Sequence, residues 1–245
     1  MHPYEGLYVV IDGIDRIGKG TLISIVVVYE QVKGKRSFDV DAFQSEKGRL
    51  PTPEEFRNAD FLVLSEPTYS GKGKEIRDVL IRKGFDIPSL NIASAYADDR
   101  MVLLKNVILP ALQMGKLVIS SRSVCSSLVY QPLDAERKGE KLMMNTVLSM
   151  PGNVFAMNNS PNLLVIPFVD SVGNALERSK SRGKDDDCKF EEQHFLETLQ
   201  EVYRGETIKD MFRSRGTEVM YVDTSGNIDD SKRNMLRIWK YFFNE

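Results

Sequence analysis

The stretch Val9–Leu22, VVIDGIDRIGKGTL, limits the fold more than any other. A short apolar run, Leu7–Asp12, leads into a Gly-rich turn, and an apolar helix is predicted over Thr21–Val32. Gly13–Lys19 fits G-x-x-x-x-G-K in the strand–turn–helix context that a phosphate-binding loop needs. The glycines let backbone N–H groups point at phosphate oxygens. The helix N-terminus adds partial positive charge, and Lys19 adds a full one. Gly13, Ile14, Asp15, Arg16, Ile17, Gly18, Lys19, Gly20 and Thr21 are therefore candidate contacts for a nucleotide's phosphates. Gly20 departs from the common pattern, in which a Ser or Thr hydroxyl at that position ligates Mg2+. Thr21 follows, but it points elsewhere on the helix.

Further strands are predicted at Phe61–Ser65, Leu117–Ser120, Leu163–Val169 and Val219–Val222. Pro167 suggests a bulge or an end in the fourth. Helices are predicted at Gly73–Gly84, Ser94–Gly115 (bent or shortened at Pro110), from Ser126, at Ser171–Arg182, Phe190–Arg213 and Asp229–Phe243. KLMMNTVLSM fits a helix, and PGNVFAMNNSP fits a loop. Alternating strands and helices argue for an α/β fold: a five-stranded parallel sheet with helices on both faces. The 245 residues fit a single domain, 1–245. It carries a loop-rich insert at 34–58, with a short helix at Pro53–Arg57, and a charged segment at 183–191.

With 42% hydrophobic and 28% charged residues, the composition is that of a soluble globular protein. A net charge of −2 gives no electrostatic footprint for nucleic acid or an anionic membrane. No signal-like start and no long apolar run are present, so a cytoplasmic location is expected. Cys125 and Cys188 make no metal spacing, and no protein metal ligands are assigned.

Several segments resemble the thymidylate kinase family of P-loop nucleoside monophosphate kinases, in family order. VIDGIDRIGKGT is similar to its E-G-x-D-x-x-G-K-S-T loop, with Asp12 for the Glu. GKGT itself is what adenylate-kinase-type loops look like. SEPTYSGKGKEIRDVL is similar to R-E-P-(G/T)…G-x-x-I-R, and SAYADDR to the F-x-A-D-R helix. SRSVCSSLVYQ is similar to D-R-Y-x-x-S-x-x-A-Y-Q. ALERSKSRGKDDDCKFEEQHFLETLQEVY is similar to the A-x-x-R-x-x-x-R lid and the helix behind it. The matches cover about three-quarters of the chain and leave out 34–58 and 134–159.

The resemblance implies transfer of the ATP γ-phosphate to dTMP with Mg2+, and a homodimer. Lys19 would clamp the β- and γ-phosphates, and Arg16 would act as a finger supplied in cis. Asp15 would bind the deoxyribose 3′-hydroxyl or a metal-bound water. Tyr96 would stack on the base while Arg100, one turn on, donates to a base carbonyl. Arg122 would grip the acceptor phosphate. Ser126, Tyr130 and Gln131 match S…YQ, with Tyr130 closing the sugar pocket. Arg178, Arg182 and Lys184 would close over ATP. The plain alternatives are a solvated Arg16 and Arg178, a turn-capping Asp15, and a core Tyr96 beside a surface Arg100.

Departures accumulate: Gly20, Ser65 for the Arg of R-E-P, Ser121 and Ser123 for the Asp and Tyr of D-R-Y, and Leu103 for a frequent His. Each lost charge at a phosphate or metal costs about 10²–10³ in rate if uncompensated. Arg77 is positioned to replace the missing guanidinium, and Glu66, Asp98 and Asp99 remain near the acceptor side. The alternatives are a catalytically weakened nucleotide-binding paralogue with a regulatory role, a nucleoside kinase, and a kinase for another monophosphate. No N-K-x-D segment supports a GTPase switch.

Overall fold

The structure is a computed structural model; it describes residues 3–82, 87–180 and 192–245, with the backbone alone at 179 and 180. Six parallel strands form one sheet: β1 (Leu7–Ile11), β2 (Ser37–Asp39), β3 (Phe61–Ser65), β4 (Leu117–Ser121), β5 (Leu163–Phe168) and β6 (Glu218–Asp223), in the order β2-β3-β4-β1-β5-β6. The sixth strand corrects the five-stranded expectation, and it comes from the insert. Ser37, Phe38 and Asp39 pair with Phe61, Leu62 and Val63 at the sheet edge. Three residues are too few to show a period in sequence, so the strand read as loop. The short helix expected at Pro53–Arg57 is a run of turns.

The central strands are apolar on both faces because both faces are covered. Val9, Ile11, Phe61, Ile119 and Val165 pack with Leu22 and Val26 of α1 (Lys19–Val32) and with Met235 and Trp239 of α12 (Ile228–Phe243). Val10, Leu62, Leu64, Val118, Leu164 and Ile166 face the other layer. That layer includes α4 (Ser89–Leu103), α5 (Leu109–Gln113), α6 (Val124–Arg137), α10 (Gln193–Arg204) and α11 (Glu206–Arg213). Each such side chain, fully buried, contributes about 1.5–3 kcal/mol.

Remaining elements are α2 (Val40–Lys47), α3 (Gly71–Glu75), α7 (Met144–Leu148), α8 (Pro151–Asn158) and α9 (Val172–Lys180). α3 runs on as one π-helical segment, Ile76–Leu80, and a second π segment, Leu104–Ile108, joins α4 to α5. Pro110 has no N–H and its ring crowds the preceding turn, so the wider turn accommodates it without breaking the rod. PGNVFAMN is helix rather than loop, with Pro151 opening it. The helix expected over Phe190–Arg213 breaks at Gly205, which is extended (ψ 149°). Pro167 causes no bulge; it pairs with Val222 in unbroken register. β1 reaches β5 only as far as Val165, so the missing N–H of Pro167 leaves no ladder bond to β1 unmade.

Candidate active site

Arg16 (φ 62°) and Gly18 (φ 97°) take left-handed backbone in the loop between β1 and α1. This conformation turns N–H groups inward as an anion nest. A Cβ at Gly13 would meet the Pro167 ring at 3.3 Å, so any side chain there would need Pro167 to give by a few tenths of an ångström. Ile14 and Ile17 are buried core residues that anchor the loop, leaving only their backbone to a nucleotide. Lys19 Nζ folds back, donating to the Gly13 carbonyl at 3.1 Å and the Ile14 carbonyl at 2.5 Å, 3.8 Å from Asp15. Burial first, then the Arg122 charge, pushes its pKa down to about 7.

Asp12 is fully buried and joins three segments. Its Oδ2 accepts from Ser123 N at 2.9 Å, Ser123 Oγ at 3.0 Å and Ser126 N at 3.0 Å. Its Oδ1 accepts from Gly13 N at 2.8 Å, Ser126 Oγ at 2.6 Å and Tyr203 OH at 2.9 Å. Charge-assisted bonds of this kind are what make a buried carboxylate tolerable. Ser123, a departure from the D-R-Y pattern, is thus a working partner of Asp12. Tyr203 was not assigned a role from sequence; its only signal was its place at the end of the segment similar to the lid helix.

A cavity of about 380 Å³ opens beside this hub. Asp15, Glu66, Arg77, Tyr96, Arg122, Ser126, Tyr130 and Gln131 all line it, together with Tyr69. Arg122 has left-handed backbone (φ 74°), a strained state for a non-Gly residue that costs about 1–3 kcal/mol. Its guanidinium donates to Asp15 and, at 2.8 Å, to Ser126 Oγ, and lies over the Tyr130 ring. Tyr130 OH donates to the other Asp15 oxygen at 3.1 Å. Burial opposes the Asp15 charge, yet Arg122 and Lys19 hold its carboxyl below the usual range. Gln131 is buried, and its side-chain oxygen has no hydrogen-bond partner among the described residues.

Arg100 is the exception. Its side chain is 2% exposed and does not line the cavity. It donates to Glu66 at 2.7 Å and to Ser127 Oγ at 2.9 Å, and it also bonds Asn153. Here Arg100 forms an ion pair that holds Glu66 from behind. Burial still raises the Glu66 pKa to about 7 against the pull of Arg100. Asp99, expected near the acceptor, instead accepts from Thr68 N at 2.8 Å and shapes the E-P-T loop.

A second cavity, about 400 Å³, lies on the other side of the loop and is lined by Arg16, Gly18, Thr21, Arg178, Asn227 and Ser231 among others. Arg178 donates to the carbonyls of Ser225 at 2.8 Å and Gly226 at 2.7 Å, fixing the turn before α12. It is therefore a bonded wall residue and not a solvated charge. Arg182, Lys184 and the 183–191 lid lie outside the described residues. Position 20 faces open space, with no atom near a built Cβ.

Two cavities meeting at a phosphate-binding loop, on a parallel sheet covered on both faces, define a P-loop phosphotransferase of the nucleoside monophosphate kinase class. The thymidylate kinase family model matches residues 52–235. A thymidylate kinase from Caldicellulosiruptor saccharolyticus is 26% identical over 227 residues, 92% of both chains. One from Fervidobacterium nodosum is 25% identical over 236 residues, 96% of this chain and all of that one. The solved thymidylate kinase of Candida albicans superposes with a TM-score of 0.65 at 20% identity, covering 98% of this chain and 93% of that one. The chain belongs to the thymidylate kinase family.

Proposed function

We propose that this chain transfers the γ-phosphate of ATP to dTMP, giving dTDP and ADP. The observation that carries the reading is the intact cluster of Lys19, Asp15, Arg122 and Tyr130 at the junction of the two cavities. ATP lies with its base toward Arg178 and its phosphates in the loop. Lys19 swings from the loop carbonyls to the β- and γ-phosphates. The acceptor fills the other cavity, with its base against Tyr96, its sugar against Asp15 and Tyr130, and its phosphate at Arg122. Gln131 offers its unpartnered oxygen to a base N–H. The acceptor phosphate oxygen attacks the γ-phosphorus, the bond to the β-phosphate oxygen breaks, and ADP leaves. Arg16 and Arg122 stabilise the charge spread over the transferring oxygens.

Mg2+ enters with ATP as part of the donor. Gly20 has no hydroxyl to offer it, Asp12 and Asp15 are already engaged, and no cluster of three acidic, His or Cys side chains forms among the described residues. Among the described residues, the side chains nearest the loop are not free to hold a resident metal. The same proposal takes the chain as one kinase domain in the cytoplasm. It also takes it as a homodimer, with Leu90 and Val102 exposed on α4 as interface candidates. A panel of dTMP, dUMP, dGMP, dCMP, AMP and thymidine, read by coupled ADP release, tests the assignment. Highest kcat/KM on dTMP supports it; preference for thymidine or another monophosphate contradicts it.

A further inference from the structure

Most of the insert at 34–58 precedes the family-model match at residue 52, and it packs behind the wall of the cavity lined by Tyr69 and Arg77. Asp39 caps α2, its carboxylate accepting from Ala42 N at 2.9 Å, and Gly48 ends the helix in left-handed backbone. Val40 and Phe56 are fully buried beneath it. α2 is thus fixed to the core and turns two polar side chains toward β3.

The pairing of β2 with β3 stops at Asp39–Val63. The next edge-facing N–H of β3 belongs to Ser65 and would be an orphan donor. Asp41 Oδ1 takes it at 3.1 Å. One turn on, Gln44 is 1% exposed, and its Oε1 accepts from Tyr69 N at 3.1 Å and Ser70 Oγ at 2.8 Å. Ser65 in turn accepts from Arg77 Nη2 at 3.2 Å, and the Arg77 guanidinium lies 3.9 Å from the centre of the Tyr69 ring. Arg77 and Tyr69 line the acceptor cavity; Asp41 and Gln44 do not.

We propose that α2 is the positioning element of the acceptor site: Asp41 through Ser65, and Gln44 through Tyr69, set Arg77 and the 66–70 loop for the acceptor. This rests on the kinase reading above. It also gives Ser65 a role. A hydroxyl there accepts from Arg77 and leaves its own N–H to Asp41, so the Arg77 guanidinium is held from the insert.

The test compares the full chain with Asp41→Ala, Asp41→Asn and Gln44→Ala. The alanine variants should raise the dTMP KM about tenfold, Asp41→Ala by losing one charge-assisted bond and Gln44→Ala by losing two neutral ones, with ATP KM and kcat within about twofold. Asp41→Asn keeps an acceptor oxygen for Ser65 N and should recover most of the loss. Amide hydrogen exchange at 66–70 should speed up in the alanine variants while β1 and β4 stay protected. A dTMP KM within about twofold of the unsubstituted chain, or an equal rise in ATP KM, overturns the proposal. If the unsubstituted chain does not phosphorylate dTMP, the kinase reading falls and exchange alone decides. Unchanged protection at 66–70 in Asp41→Ala then overturns the positioning role, and lost protection upholds it.

Discussion

Ser65 and Ser121 are register partners across β3 and β4, at the cavity end of both strands. The family resemblance expects an Arg at the first position and an Asp at the second. Neighbours in register share a face of the sheet, so side chains of opposite charge at these two positions would lie within reach of each other. Ser65→Arg alone or Ser121→Asp alone places an uncompensated charge there, and each should lower kcat/KM and melting temperature. The double variant should recover only part of the loss, because the hydroxyl that accepts from Arg77 is gone. A double-mutant cycle should give a favourable coupling of about 0.5–3 kcal/mol; simple additivity would show that the positions are independent.

Gly20 is the departure with room to be reversed. Nothing lies near a Cβ built on it, and its backbone is not left-handed. Gly20→Ser should stabilise the chain by about 0.4–1 kcal/mol through the unfolded state, measured by urea unfolding. If it restores the metal-ligating hydroxyl of the common loop pattern, it should also lower the KM for Mg·ATP.

The depressed pKa of Lys19, about 7, makes donor binding proton-linked. Above pH 7 the free chain carries a largely neutral Lys19, and a bound phosphate restores the ammonium. ATP binding at pH 8 should therefore take up a proton, read by calorimetry in buffers of different ionisation enthalpy. Uptake should fade below pH 6 and vanish in Lys19→Ala. Folding carries the opposite sign: the unfolded chain binds this proton between about 7 and the ordinary lysine value and releases it on folding, so the group's contribution to stability rises with pH across that window.

Arg100 and Tyr96 share a helix but should fail differently. Arg100→Ala leaves Glu66 buried without its partner and should cost about 3–5 kcal/mol of stability, seen as a lower denaturation midpoint. Tyr96→Ala should keep the fold and raise the dTMP KM sharply. An unchanged KM would place Tyr96 in the core alone.

These contrasts show where sequence was informative. The loop after β1, β3 and the grouping of residues around one cavity were legible because each sits in a local pattern: Gly spacing, an apolar run, or a short motif. Asp12's six bonds and the burial of Arg100 were not, because they depend on partners distant in the chain, such as Tyr203 and Asn153. The edge strand at Ser37–Asp39 and the helix of PGNVFAMN were missed for a related reason. Short elements take their conformation from neighbours more than from their own periodicity.

The most direct measurement of the central claim is transfer of label from γ-labelled ATP. With Mg2+ and dTMP, label should appear in dTDP, fall by orders of magnitude in Lys19→Ala and Arg122→Ala, and drop more than twofold in Arg16→Ala. No labelled dTDP from the unsubstituted chain, with ATP binding intact, would contradict the account and leave a nucleotide-binding paralogue.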